Sequence, residues 1–139
     1  NAGNLPTPLC DQAAVQEQAD GWTLLWKEDE SYEEPKLNMS AEMFLQLLPD
    51  SIYEAALTFP AETGLGHDSI APRAIGRLSR DSVQALAELF MAFERRGSWA
   101  EVLDLVLIVL LPKTDGGFRP IGVFPTIIRI WMRSRRTGR

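Results

Sequence analysis

The sequence predicts an α+β fold, in which a helical N-terminal part is followed by an antiparallel β-hairpin and a C-terminal helix. Apolar residues recur at helical spacing from Ser79 to Gly97. The apolar run Leu105 to Leu111 is rich in β-branched residues, which favours a strand. Asp115-Gly116-Gly117 then offers a hairpin turn. With 139 residues, 45% hydrophobic and 24% charged, the chain has ordinary globular values and suits one domain, with or without a loose arm.

Residues 1–36 are predicted to be a disordered, acidic arm that carries a short tryptophan-containing helix. Residues 1–10 hold two prolines and small polar residues, which is typical of a disordered start. Alanine, glutamine and glutamate then favour a helix up to about Gly21. Trp22, Leu25 and Trp26 form an i, i+3, i+4 apolar face, which we expect to dock on the body of the protein rather than to stack on bases. Residues 28–36, EDESYEEPK, indicate a solvated linker.

The next stretch predicts two short helices and a loop. Ser40 is a plausible N-cap for AEMFLQLL, which Pro49 would end, and Asp50 can cap a second helix, SIYEAALTF, which ends at Pro60. In the first of these helices the expected inner stripe is Met43, Phe44, Leu47 and Leu48. Residues 61–72 should form a loop because they hold two glycines and a proline. In this loop Asp68 is predicted to form a turn rather than to bind a metal, and His67 to be a loop histidine.

The clearest predicted helix spans about residues 80–96. Ser79 is its expected N-cap, Gly97 its expected C-terminal cap, and Arg95 and Arg96 suit the negative end of the helix dipole. A strand at about 105–111 leads through the glycine turn into a second strand, FRPIGVF. Pro120 lies within that second strand, which predicts a sheet edge or a bulge. A helix from Thr126 to about Arg136 should follow.

The net charge of −5 conceals a division of charge along the chain. Residues 1–111 carry 7 Lys+Arg and 18 Asp+Glu, which gives −11, whereas residues 112–139 carry 7 basic residues and one acid, which gives +6. Such asymmetry predicts an acidic arm beside a part that faces a polyanion.

Cysteine content and hydropathy indicate where in the cell the protein is located. The single cysteine, Cys10, excludes a disulfide within the chain and favours an intracellular location, which could be nuclear. The longest apolar run has seven residues, against the roughly 20 needed to span a bilayer. No signal peptide is visible at the N-terminus, and we expect no membrane partner.

Lys113 and Arg119 flank the glycine turn, and the hairpin brings both to one end of the ribbon. Glycines let backbone N–H groups approach a ligand, while arginine and lysine supply charge-assisted donors for phosphate oxygens. A triphosphate would satisfy this arrangement. The alternative is a surface hairpin with two solvated cations, and the spacing alone favours that interpretation.

Residues from about Phe59 to Arg136 resemble the start of a reverse transcriptase domain of the non-LTR (LINE-like) retrotransposon family. The resemblance rests on the loop FPAETGLGHDSIAPRAI, the strand LVLIVLLPK and the segment TDGGFRPIGVFPTIIRIWMR. In the loop, Gly66-His67-Asp68-Ser69 departs from the Gly-Pro-Asp-Gly of many relatives. The resemblance implies that residues 37–139 are a partial reverse transcriptase domain, the polymerase fingers subdomain.

By this resemblance Lys113 and Arg119 are nucleotide-phosphate contacts. The helix with Arg129 and Arg133 would lie near the template. Possible contacts to a nucleic-acid backbone are Arg129, Arg133, Arg135, Arg136 and Arg139. The implied partners are an RNA or DNA template, a dNTP, and the palm and thumb region or the protein's own longer product.

The family's chemistry is nucleotidyl transfer by a palm whose carboxylates hold two divalent metals, so Mg²⁺ is implied for a full-length member. This chain has no Asp-Asp dipeptide and reaches Arg139 before the palm motifs. We therefore expect no catalytic residue, no metal ligand and no cofactor here. The expected function is that of a truncated RNA-directed DNA polymerase, inactive alone.

Two other possibilities stay open at this point. The chain could be a non-enzymatic protein-interaction module, whose acidic, aromatic N-terminal arm docks a partner. It could also fail to fold stably, since the fingers pack on a palm and the strand Leu105 to Leu111 could expose an aggregation-prone edge.

Overall fold

A computed structural model describes residues 7–27, 31, 33 and 45–137, and it confirms the α+β class. The elements in these ranges are four α-helices and two antiparallel strands. They are α1 (Gln12–Leu25), α2 (Pro49–Leu57), α3 (Arg80–Arg96), β1 (Leu107–Pro112), β2 (Phe118–Val123) and α4 (Thr126–Thr137). Two 3-10 helices, Pro72–Arg77 and Glu101–Leu103, connect them.

The chain divides into two compact units that are not contiguous in sequence. The first comprises Asn1–Met39 and Ile108–Gly122, and the second comprises Ser40–Leu107 and Val123–Arg139. The hairpin therefore belongs with the N-terminal helix. The sequence had placed it in one domain of residues 37–139.

The second unit holds the hydrophobic core. Phe90, Ile52, Ile130 and Val83 are fully buried, and they bring together α2, α3 and α4. An aromatic cluster extends this core, because Trp99 lies edge-on to Trp131 with ring centroids 5.1 Å apart. Such T-shaped contacts are favoured by the ring quadrupoles.

Helix α3 forms as the sequence predicts. The Ser79 hydroxyl accepts a hydrogen bond from the Ser82 N–H at 3.2 Å, which satisfies one of the free donors of the first turn. Gly97 ends the helix with a φ of 76°, in the left-handed region that glycine adopts without steric penalty. Both predicted caps are confirmed.

Two predictions about helix boundaries were wrong. Helix α1 continues through Gly21 to Leu25 as one element. Pro49 begins α2 instead of ending a preceding helix, since proline suits the first helical position, where no N–H partner is needed. Of the predicted helix AEMFLQLL, residues 41–44 lie outside the described ranges, and residues 45–48 are not helical.

The hairpin has a regular register. The Lys113 N–H donates to the Gly117 carbonyl at 3.0 Å, and the two strands have six residues each, so Leu111 lies opposite Arg119 and Leu110 opposite Pro120. Residues such as Leu110 and Pro120 direct their backbone groups outward, and Leu110 accepts a hydrogen bond from the Leu9 N–H at 3.0 Å. Pro120 therefore removes no hydrogen bond of the ladder although it has no N–H. The predicted position of Pro120 at a sheet edge is confirmed.

None of the helices in the described ranges has the length and apolar character needed to cross a membrane.

Candidate nucleotide-phosphate site

The turn of the hairpin depends on two glycines with positive φ. Gly116 has a φ of 94° and Gly117 a φ of 75°, values that residues with a Cβ rarely adopt. No heavy atom lies within 4 Å of a Cβ built at either position, so the surroundings of both glycines are open. The backbone at the tip is thus accessible to a ligand from solvent.

The bond from the Lys113 N–H to the Gly117 carbonyl continues the ladder one residue beyond β1, so the register predicts that Lys113 and Arg119 share one face of the ribbon. Side chains alternate between faces along a strand, so Lys113 shares a face with Leu111, which lies directly opposite Arg119. The two cations are diagonal neighbours, which lie roughly 7–8 Å apart at Cα. Both are exposed, and neither forms an ion pair with any residue that the structure describes.

The same face is apolar away from the turn. It carries Val109 and Leu111, both partly buried, and Ile121, which is 37% exposed. The opposite face, with Ile108 and Leu110, lies against α1 in the first unit. The cations therefore stand at the end of a partly exposed apolar strip.

Arg129 and Arg133 of α4, in the second unit, are used in internal contacts. Arg129 donates to the Gly64 carbonyl at 2.8 Å and to the Thr126 hydroxyl at 3.1 Å. Burial lowers the pKa of Arg129, and the neighbouring Asp68 carboxylate opposes that shift. Arg133 donates to the Thr58 hydroxyl at 2.7 Å, and its guanidinium lies 3.6 Å from the centre of the Phe59 ring.

Arg135 is held by an ion pair with Glu94. Its Nε donates to Glu94 Oε1 at 2.6 Å, its second terminal nitrogen to Glu94 Oε2 at 2.5 Å, and its first to the Leu45 carbonyl at 2.7 Å. Trp131 Nε1 donates to the same Glu94 Oε1 at 2.8 Å. Arg136, by contrast, is exposed and has no hydrogen bond or ion pair to the described residues.

Asp68 joins the glycine-containing loop to the start of α4. One carboxylate oxygen accepts from the Ile70 N–H at 3.2 Å, and the other accepts from the Thr126 N–H at 2.7 Å. The predicted turn-forming role is confirmed by the first bond, and the second caps a helix 58 residues away. The Thr126 hydroxyl completes the junction by donating to the Ile70 carbonyl at 2.5 Å.

Gly66 is required for the same junction. A Cβ at this position would lie 2.8 Å from the Phe124 carbonyl oxygen, which is closer than packed atoms allow. The loop and the start of α4 therefore approach more closely than any side chain at residue 66 would permit.

No group of three or more His, Cys, Asp or Glu side chains that could hold a metal ion occurs in the ranges that the structure describes. The candidate site at the hairpin turn is formed by two cations and by backbone donors beside Gly116 and Gly117.

No family model matches this chain, and comparisons with curated proteins and with solved structures also found no match.

The internal partners of the α4 arginines and the second bond of Asp68 were not predicted from the sequence. The signal that could have found the ion pair is the helical spacing that places Trp131 and Arg135 on one face of α4. Both residues contact Glu94.

Proposed function

We propose that this chain is the fingers part of a reverse transcriptase of the non-LTR retrotransposon type, and that Lys113 and Arg119 bind the triphosphate of an incoming nucleotide. The observation that carries the proposal is the shared face of the two cations beside a glycine turn. Phosphate oxygens accept charge-assisted hydrogen bonds from both side chains, and arginine can bind two oxygens at once.

Three further features support this proposal. The turn glycines leave the backbone open to an anion, because no side chain at residues 116 and 117 shields it. Neither cation forms an ion pair with a carboxylate among the described residues, so both can contact a ligand. The apolar strip formed by Val109, Leu111 and Ile121 borders the cations and could contact the less polar part of a nucleotide.

The proposal is tested by equilibrium binding of a fluorescent dNTP to the parent chain and to the double variant Lys113→Ala/Arg119→Ala. We expect weak binding by the parent, which falls as salt is raised because exposed charges are screened. Loss of two charge-assisted contacts should lower the affinity about tenfold or more.

The matched control is Arg95→Ala/Arg96→Ala, which removes two exposed cations from the end of α3. This variant has the same net charge as the test variant, so it separates a local phosphate contact from an overall charge effect. Equal nucleotide affinity in the parent and in the Lys113/Arg119 variant would show that the phosphate-binding proposal is wrong.

Primer extension by this chain is not part of the proposal. The family's reaction needs Mg²⁺ held by palm carboxylates, and the described residues offer no such cluster. We therefore propose nucleotide and template contacts without turnover by this chain alone.

A further inference from the structure

An open groove of about 460 Å³ lies on one face of α4 in the second unit. Its lining residues are Trp131, Met132, Arg135 and Arg136. Residues four apart in a helix lie on the same face, so these two adjacent pairs form one continuous stripe. Ligand pockets in proteins typically have volumes of about 300–1,000 Å³. The groove therefore has room for a small ligand or for one unit of a polymer.

The indole of Trp131 is anchored on its polar side but stays partly exposed. Its Nε1 donates to Glu94 Oε1 at 2.8 Å, and its ring meets the Trp99 ring edge to face with centroids 5.1 Å apart. Met132 lies beside it in the groove and is 42% exposed. Most of the lining is apolar, and the N–H of the indole is already satisfied. A flat aromatic ligand can therefore stack there without leaving this donor unpaired.

The charged side chains that line the groove are both arginines. Arg135 is paired with Glu94, whereas Arg136 is exposed and forms no ion pair or hydrogen bond with the described residues. Helix α4 holds four arginines and no Asp or Glu. An anionic ligand is therefore attracted to this face, and a cationic one is repelled. Because Arg136 lines the groove itself, one ligand can contact its guanidinium and the apolar surface together.

We propose that this groove is a stacking site for one base of a single-stranded nucleic acid. The base stacks on Trp131 and Met132, and Arg136 contacts an adjacent phosphate. Single strands are bound in this manner because every base offers a flat π surface to an aromatic side chain, while a neighbouring cation contacts the backbone. The inference rests on the template contacts of the proposed function and names the residues that hold one unpaired base. It requires neither Lys113 nor Arg119.

The test compares two fluorescein-labelled strands of about 12 nucleotides, an oligo(dT) and an abasic strand, which have the same phosphate charge. Fluorescence anisotropy with the full chain should show that oligo(dT) binds about fivefold tighter or more, because only oligo(dT) has a base to stack. Stacking also quenches the fluorescence of an indole. The quenching by oligo(dT) should therefore be smaller in Trp131→Phe, which keeps an aromatic ring in the groove.

Variants then locate the site. Met132→Glu places a carboxylate in the groove and should abolish the preference for oligo(dT) over the abasic strand. Leu89→Glu is the matched control, because Leu89 of α3 is 46% exposed, close to the 42% of Met132, and lies outside the groove. Arg136→Ala should weaken binding of both strands several-fold, and Arg77→Ala, which removes another exposed arginine of the second unit, should have a smaller effect. Far-ultraviolet circular dichroism checks that each variant keeps its helices.

Binding of a dNTP separates this inference from the proposed function. Lys113→Ala/Arg119→Ala should lower the dNTP affinity and Met132→Glu should leave it unchanged, so each proposal can fail without the other. Equal affinity for oligo(dT) and the abasic strand would overturn the stacking site. A preference for oligo(dT) that survives in folded Met132→Glu would also overturn it, by placing the base elsewhere. Displacement of oligo(dT) by polyglutamate as readily as by unlabelled oligo(dT) would overturn it in favour of an acidic polypeptide.

Discussion

Glu94 accepts hydrogen bonds from two side chains of the second unit, Arg135 and Trp131, and its protonation should therefore affect stability. Burial raises the pKa of Glu94, but hydrogen bonds from Arg135 and Trp131 outweigh burial and leave the pKa below its ordinary value of 4.5. A carboxyl whose pKa is lower in the folded state stabilises the fold above its unfolded pKa. That contribution is lost as the pH falls through the folded pKa.

We therefore expect the free energy of unfolding to decrease as the pH falls below about 4.5, and part of this decrease to be absent in Glu94→Gln. Urea unfolding of both proteins between pH 7 and pH 3 measures the effect. Glu88→Gln, which changes an exposed glutamate of the same helix, is the control. Parallel pH profiles for the parent and Glu94→Gln would contradict the assignment.

Arg135 and Arg136 are adjacent in sequence but differ in their contacts, so alanine variants of the two residues can be compared directly. Arg135→Ala would leave Glu94, whose side chain is 5% exposed, without its cation. We expect a loss of about 2 kcal/mol or more in the free energy of unfolding, since removing one partner of a largely buried pair leaves the other charge uncompensated. Arg136→Ala should change it by less than about 0.5 kcal/mol. Chemical denaturation distinguishes the two, and equal losses would argue against a structural role specific to Arg135.

At the scale of elements, local signals predicted α3, the hairpin and α4 closely. Their caps, turn glycines and periodicity depend on neighbouring residues, as in Ser79, Gly97 and Gly116. The two helix boundaries that were predicted wrongly lie at residues for which two sequence rules give opposite predictions. Pro49 can follow one helix or begin another, and Gly21 lowers helix propensity by only about 1 kcal/mol, too little to end α1.

The parts of the candidate site that could not be predicted depend on contacts between distant residues. The bond from the Thr126 N–H to Asp68 joins residues 58 apart, and the bond from Arg135 to Glu94 joins residues 41 apart. The spacing of Trp131 and Arg135 puts both on one face of α4, but nothing in the local pattern identifies Glu94 as their common partner. The relative positions of Lys113 and Arg119 were easier to predict, because both residues belong to one hairpin and only seven residues, 113–119, separate the two ends of its turn.

The hairpin itself offers a test of the turn that presents those cations. Gly117 has a φ of 75°, so an alanine there must adopt a strained backbone although space is available for its Cβ. We expect Gly117→Ala to destabilise the hairpin by about 1 kcal/mol. Amide hydrogen exchange of the β1 and β2 ladder should therefore become faster in this variant. The control is Gly64→Ala, which should leave the exchange of the same ladder unchanged because Gly64 has a negative φ and open surroundings. Unchanged exchange in Gly117→Ala would mean that the turn tolerates a side chain.

Across the whole molecule, the basic excess of the C-terminal part overstates the charge available to a nucleic acid. Residues 112–139 have a net charge of +6, but Arg129, Arg133 and Arg135 each donate hydrogen bonds within the protein. Of the cations at residues 112–137, those exposed are Lys113, Arg119 and Arg136. The number of exposed cations sets how many phosphates can be neutralised, and hence how steeply affinity depends on salt.

The logarithm of the affinity for single-stranded nucleic acid should fall with the logarithm of salt concentration, with a slope of roughly −0.7 for each phosphate contact. Arg136→Ala should reduce that slope by about 0.7 and leave the fold unchanged, because its side chain has no described partner. Filter binding of a labelled oligo(U) and of an oligo(dT) across a salt series measures both slopes. An unchanged slope in Arg136→Ala would mean that Arg136 contacts no phosphate.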